Sequence, residues 1–218
     1  MKILTFLHTS ATHIATFNQL LTELAPDIPV THLVDESLLA DARISGLTTE
    51  LTGRITHTLN AAVSAGAAVI VCTCSTIGEC AEQAPHSGNV PVLRIDRPMA
   101  EQAVDMGNRI IIAAALASTL APTRLLLLEA ADRAGKSVTL IDGLCAEAWP
   151  HFERGDYNTY LEVIAQYLQT IAADADVIVL AQASMAGAAA VCPDLPIPVL
   201  SSPRLGLEAA LRSYHTVI

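Results

Sequence analysis

The sequence predicts an α/β protein built as two similar doubly wound lobes, each with a four-stranded parallel sheet, related by pseudo-twofold symmetry. Three observations carry this expectation. First, the chain repeats itself: Val69-Ile70-Val71-Cys72-Thr73-Cys74 returns as Val177-Ile178-Val179-Leu180-Ala181-Gln182 at an offset of 108 residues. Ile3 to Ser10 lies over Ile111 to Ser118 at the same offset, and Pro91-Val92-Leu93 over Pro198-Val199-Leu200 at 107, so two copies of one unit fill the chain. Second, the Val/Ile/Leu runs lack polar alternation, which marks strands buried on both faces. Third, amphipathic helical patterns separate those runs, and strand-helix alternation implies parallel sheets with right-handed crossovers.

Taken in chain order, the apolar runs place strands at 2–7, 28–34, 68–73 and 90–95 in the first copy. In the second they fall at 109–115, 137–141, 176–181 and 197–200. Helices are expected over 12–25, where Ile14, Phe17, Leu20, Leu21 and Leu24 form one stripe, and over 47–65, where Leu47, Leu51, Ile55, Leu59 and Val63 do the same. Two more are expected over 118–134 and 157–173. A last helix, about 205–214, should cross back onto the first lobe, because that half otherwise ends near Pro98. The lobes are therefore expected as 1–97 with about 205–218, and 98–204.

Composition excludes several classes. Hydrophobic residues make up 52% of the 218 and charged residues 16%, enough apolar surface to offset the conformational entropy of an ordered chain. No window approaches the roughly 20 uninterrupted apolar residues of a spanning helix, and the run Ile110 to Leu120 is too short. The start, Met1 to Leu7 running into His8-Thr9-Ser10, has no long apolar h-region and reads as the first strand of a cytoplasmic protein. A net charge of −10 with no local Lys/Arg cluster argues against nucleic acid and acidic membrane surfaces as partners. The five cysteines, an odd number in an Ala-rich chain, are expected as reduced thiols rather than a disulfide framework.

Ligands of open parallel sheets bind beyond the carboxyl ends of the strands, where N–H groups at helix starts favour anions. Four segments occupy such places: His8-Thr9-Ser10, Cys74-Ser75-Thr76-Ile77-Gly78, Leu116-Ala117-Ser118-Thr119 and Gln182-Ala183-Ser184-Met185. Cys74, at a helix start, has its thiolate stabilised by local N–H groups and the helix dipole, which makes it usable as a base or nucleophile. An isolated strand-end Cys is more often a small core hydrophobe; the motif around Cys74 favours chemistry. Cys72, two residues earlier, points the same way and is expected in the core, as is Cys80. No second Cys/His pair with zinc spacing accompanies Cys72-Thr73-Cys74, so no metal is expected.

Cys74-Ser75-Thr76 resembles the Cys-Asn-Thr signature of the aspartate/glutamate racemase superfamily, and Leu180-Ala181-Gln182-Ala183-Ser184-Met185 resembles its second, Leu-Gly-Cys-Ala-Gly-Met type of signature. That superfamily includes glutamate, aspartate and hydantoin racemases, maleate isomerase and arylmalonate decarboxylase. The resemblance spans essentially the whole chain and implies two α/β halves with a site between them, no cofactor, and proton transfer next to the carboxylate of a small carboxylate or amino-acid substrate. Racemases of the family use a thiol on each face, and here the second position is held by Gln182. A neutral amide exchanges no proton near neutral pH and can only donate or accept hydrogen bonds.

The resemblance makes Cys74 the catalytic thiol. Through the repeat it makes Thr9, Ser10, Ser118 and Thr119 carboxylate-binding residues, joined by Ser75, Thr76, Ala183 and Ser184. Singly, each Ser or Thr is also an ordinary helix cap. His13, beside the first strand-helix turn with His8, is a candidate acid for the face that Gln182 leaves empty. Trp149 and the run Glu147 to Tyr157 are expected as a lid or a homodimer contact. Three functions compete: a racemase or isomerase using Cys74, a one-thiol lyase such as a decarboxylase of a small dicarboxylate, and a carboxylate-binding protein without turnover.

Overall fold

A computed structural model describes residues 2–192 and 194–217. The chain divides into two compact units, one holding the residues up to Ile95 together with those from Pro203 onward, the other running from Asp96 to Ser202. Each is an α/β unit around a four-stranded parallel sheet.

In the first unit β1 (Ile3–His8), β2 (Val30–Val34), β3 (Ala67–Cys72) and β4 (Val92–Arg94) pair in the order β2-β1-β3-β4. Alternation along the central strands sends apolar side chains to both faces. Leu7, Ile70 and Cys72 pack with Leu38, Ile55, Leu59 and Ile77 on one side. Phe6, Val69 and Val71 pack with Phe17, Leu207, Leu211 and Tyr214 on the other. The helices that cover these faces are α1 (Thr12–Leu24), α2 (Glu36–Ser45), α3 (Thr49–Ser64) and α4 (Ser75–Gln83).

In the second unit α5 (Arg97–Met106) leads into β5 (Arg109–Ala114). After a 3-10 turn at Ala117–Thr119 come α6 (Leu120–Ala134), β6 (Thr139–Leu144), α7 (Trp149–Glu153), α8 (Tyr157–Ile171) and β7 (Val177–Leu180). A 3-10 turn at Ala183–Met185, the short α9 (Ala188–Val191) and β8 (Val199–Ser201) complete it. The sheet order, β6-β5-β7-β8, reproduces that of the first unit. Finally α10 (Ser202–Val217) leaves β8 and packs Leu207, Leu211 and Tyr214 onto the first sheet.

The structure differs from the sequence reading where apolar pattern is weak. The helix α2 buries only Leu38 and Ala42 and so carries little periodic signal; it is marked instead by Asp35, whose carboxylate accepts from the Ser37 N–H at 3.1 Å. The strand expected over 137–141 runs instead to Leu144, pairing Asp142 with Ile112 and Gly143 with Ala113. A side chain at Gly143 would meet Ile171, Ile111 and Tyr167 at 3.2–3.3 Å, so the residue is set by packing rather than by a turn.

The repeat also has a different register from the one the sequence suggests. Leu7 pairs with Cys72 in the first sheet and Ala113 with Leu180 in the second, so the third strands align at an offset of 108 but the first strands at 106. Two loop hydrogen bonds agree: Thr73 N–H donates to the Leu7 carbonyl where Ala181 N–H donates to Ala113, and Asp35 N–H donates to His8 where Cys145 N–H donates to Ala114. The counterparts of Thr9 and Ser10 are therefore Ala115 and Leu116, not Ala117 and Ser118.

Candidate active site

At the carboxyl end of the first sheet, β3 runs out at Cys72, and Thr73 and Cys74 continue in extended conformation until α4 begins at Ser75. Cys74 is the N-cap residue of α4 (φ −106°, ψ 118°) and offers no side-chain cap to the helix. It packs among Leu7, Ile77 and the rest of that apolar layer and is 8% exposed. Cys72 is in the same layer, as the two-residue spacing predicts, and its thiol donates weakly to the Cys74 carbonyl at 3.7 Å. All five cysteines are thiols, none in a disulfide.

Around Cys74 several polar groups stand without partners among the described residues. The Thr76 hydroxyl, in the first turn of α4, is buried and makes no hydrogen bond. The N–H groups of Thr9 and Ser10, just beyond β1, have no described acceptor. The Ser10 hydroxyl itself is engaged locally, 2.9 Å from the Thr12 hydroxyl. Of these the Thr76 hydroxyl is a fully buried orphan, and such groups are costly.

A neighbour the sequence gave no reason to single out is Arg94, at the end of β4 and 3% exposed. Its side chain lies along the first turn of α4: a Cβ on Gly78 would stand 3.2 Å from its Nε. A guanidinium stays charged at all working pH, so the first turn of α4 has a buried charged group beside it. The only sequence signal for it was a charged residue closing an apolar run.

The other neighbour is a chain of histidines. His8, wholly buried, has Nδ1 2.8 Å from the Thr73 hydroxyl and Nε2 2.8 Å from His32 Nδ1, while His32 Nε2 lies 3.0 Å from Asn18 Oδ1. The Thr73 hydroxyl also donates to the Leu7 carbonyl at 3.2 Å, and the tautomers of His8 and His32 set which way the remaining protons run. Burial first, then the nearby His32 and His13, pushes His8 down to about 3. Burial likewise lowers His13 to about 4 and lowers His32. Burial therefore favours the neutral imidazole of His13, the residue the sequence offers as a candidate acid.

In the second unit Gln182 is the counterpart of Cys74, the N-cap of the turn Ala183–Met185. Its Oε1 accepts from the Ala115 N–H at 2.8 Å and the Leu116 N–H at 2.9 Å. These are the counterparts of the Thr9 and Ser10 N–H groups, so the second unit fills with its own amide oxygen the donor pair that the first leaves open. The remaining predicted residues divide. The Ser118 hydroxyl is buried without a partner. The Thr119 hydroxyl is spent on the Leu116 carbonyl at 2.8 Å, and the Ser184 hydroxyl lies 2.9 Å from the Tyr160 hydroxyl. Ser75 and Ala183 are buried at the starts of their turns. Trp149 sits on α7, stacked on Phe152 at 4.9 Å.

Among the described residues no group of three or more His, Cys, Asp or Glu side chains is placed to hold a metal ion. No helix among them is long and apolar enough to cross a membrane.

Comparison with known proteins agrees with this fold. The chain resembles in fold an aspartate racemase from Picrophilus torridus (TM-score 0.74, 14% identity, 99% of this chain and 95% of that one). It resembles a glutamate racemase from Bacillus anthracis (TM-score 0.68, 13% identity, 99% and 82%) and an allantoin racemase from Klebsiella pneumoniae (TM-score 0.64, 16% identity, 99% and 89%). No curated protein sequence matches it. At such identities the structural likeness speaks for the fold alone, but the model of the Asp/Glu/hydantoin racemase family matches residues 7–210. Nearly the whole chain satisfies that model, and the protein belongs to the Asp/Glu/hydantoin racemase family.

Proposed function

We propose that this chain is a racemase-type isomerase that acts, without a cofactor, on the proton next to the carboxylate of a small carboxylate or amino acid, with Cys74 as its base. The observation that supports this best is the first-unit strand end. A thiol stands at the N-cap of α4 with the buried Thr76 hydroxyl and the Thr9 and Ser10 N–H groups awaiting oxygen acceptors. In this reading those donors hold the carboxylate. The α4 N-terminus favours the Cys74 thiolate. The thiolate takes the α-proton and the electron pair moves into the carboxylate as an enediolate; return of a proton by Cys74 gives exchange with retention, and inversion takes its proton from a second group on the opposite face.

Gln182 favours a second reading. A return from the opposite face, which inversion requires, needs a donor acid that Gln182 is not. A lyase that loses carbon dioxide and is then protonated by Cys74 needs only one thiol. Full-length protein in deuterium oxide with aspartate, glutamate, hydantoin or malonate derivatives separates the readings: label in recovered substrate speaks for the isomerase, label only in a decarboxylated product for the lyase. Cys74→Ser should abolish either while Cys72→Ser leaves it, and activity that survives Cys74→Ser would overturn both.

A further inference from the structure

The outward side of α6 is apolar where a surface helix is ordinarily polar. Thr123, Leu126, Leu127, Ala130 and Ala131 form its buried side. Opposite them stand Ala121, Leu125, Leu128 and Asp132, all exposed and spaced four, three and four residues apart, the spacing of a coiled-coil seam. Leu125 is 53% and Leu128 46% exposed. The charges that flank the stripe are already engaged: Arg124 with Asp142 at 2.6 Å, Glu129 with Arg97 at 3.2 Å and Arg133 at 3.6 Å, and Arg133 also with Glu101 at 4.0 Å. The duplication supplies an internal comparison. Arg124 bonds Asp142, paired with Ile112, where Asn18 bonds His32, paired with Phe6. The helices α1 and α6 therefore align at the same offset as the first strands. Ala15, Gln19 and Thr22, exposed on α1, are then the counterparts of Ala121, Leu125 and Leu128. Packing within a unit does not call for leucine at these places, so the leucine pair marks a contact beyond it.

We infer that this stripe is the contact face of a homodimer, in which α6 packs antiparallel against α6 of a second copy of the chain across a twofold axis. The stripe is complementary to itself. Leu125 and Leu128 lie equally far from its midpoint, and so do Ala121 and Asp132. One axis through that midpoint sets Leu125 on the partner's Leu128 and Leu128 on the partner's Leu125. It also brings each Asp132 carboxylate to the start of the facing helix, where the macrodipole is positive and the small Ala121 leaves room for it. The leucines make a desolvated centre, and the paired Arg124, Glu129 and Arg133 a polar rim. With a net charge of −10, an acidic membrane surface is a poor alternative occupant.

Sedimentation equilibrium of the full-length protein at tens of micromolar tests this, and wild type should sediment at twice the chain mass. Leu125→Gln combined with Leu128→Thr installs the residues of the first unit. It should weaken association at least a hundredfold, while the melting curve of the monomer stays native because both positions face solvent there. Asp132→Lys leaves the leucines in place and should weaken association about tenfold by setting a cation at each facing helix start. Adding Ala121→Glu to it should recover that loss, since positions 121 and 132 face each other only in the antiparallel register. Gln19→Ala with Thr22→Ala on α1 should leave the dimer intact. A monomeric wild type, which would leave the stripe to a different protein, or a dimer indifferent to the double leucine substitution would overturn the inference. Loss of association with Asp132→Lys that Ala121→Glu deepens would overturn the antiparallel pairing.

Discussion

Cys72 and Cys74 show at the scale of single residues how two atoms of one type come to differ. Both point into the same apolar layer, but Cys72 lies within the ladder while Cys74 stands at the helix start, next to unsatisfied donors. Thr76 makes the point testable. Its hydroxyl is buried without a hydrogen bond, so Thr76→Val, nearly isosteric, removes an unmet desolvation cost and should raise stability by about 1 kcal/mol in urea titrations. The same change should weaken carboxylate binding about tenfold by calorimetry, the value of one such hydrogen bond. Loss of stability together with unchanged binding would mean the hydroxyl serves the fold and not a ligand.

At the scale of elements, the site depends on helices being brought close to strand ends, and glycines mark where. Gly206 lies on α10 where a Cβ would collide with the Ile95 carbonyl oxygen, the residue whose N–H bonds the Cys72 carbonyl. Gly206→Ala must therefore push α10 off the end of β4 and disturb the backbone before Cys74. Overpacking against rigid backbone costs about 3 kcal/mol, which circular dichroism melting should register as a clear drop in Tm. Gly78→Ala is the gentler case, since its neighbour is the side chain of Arg94 at 3.2 Å and not backbone. It should leave the melting temperature within a few degrees, because a side chain can shift where backbone cannot. Equal stability loss in both variants would refute this distinction.

For the molecule as a whole, the buried histidines tie stability to pH. His8 and His13 titrate near 3 and 4 when folded, and His32 is also lowered, against about 6.5 in an unfolded chain. The unfolded state therefore binds more protons below pH 6.5, and stability is full above that value. It is lost as pH falls toward 4, with a limiting slope of about 1.4 kcal/mol per pH unit for each histidine. Asp35, Asp156 and Asp176 are lowered by hydrogen bonds and neighbouring cations, so their contribution is lost only at more acid pH, and the interval from 6.5 to 5 isolates the histidines. The urea midpoint should fall across that interval, and less so in His8→Gln. A midpoint that stays flat from pH 6.5 to 5 would show that the rings accept protons in the folded state.

What the sequence alone determined follows from local and periodic physics. Unalternating Val/Ile/Leu runs separated by amphipathic stretches such as Leu51, Ile55 and Leu59 specify doubly buried parallel strands and their covering helices, and the returning run at Val177 exposes the duplication. Cys74 was legible because its strand-end, helix-start position can be read from the residues on either side. What only tertiary structure decided is register and partnership. Sliding a strand by two residues restores every side chain to the same face, so the apolar pattern could not tell an offset of 108 from the 106 that hydrogen bonding sets for the first strands. Thr9 and Ser10 were consequently matched with Ala117 and Ser118 in place of Ala115 and Leu116. The Gln182 oxygen on those two N–H groups, the Thr73–His8–His32–Asn18 chain and Arg94 against Gly78 all join residues far apart in sequence. Contacts of that kind leave no periodic trace; they exist only once the strands have been laid side by side.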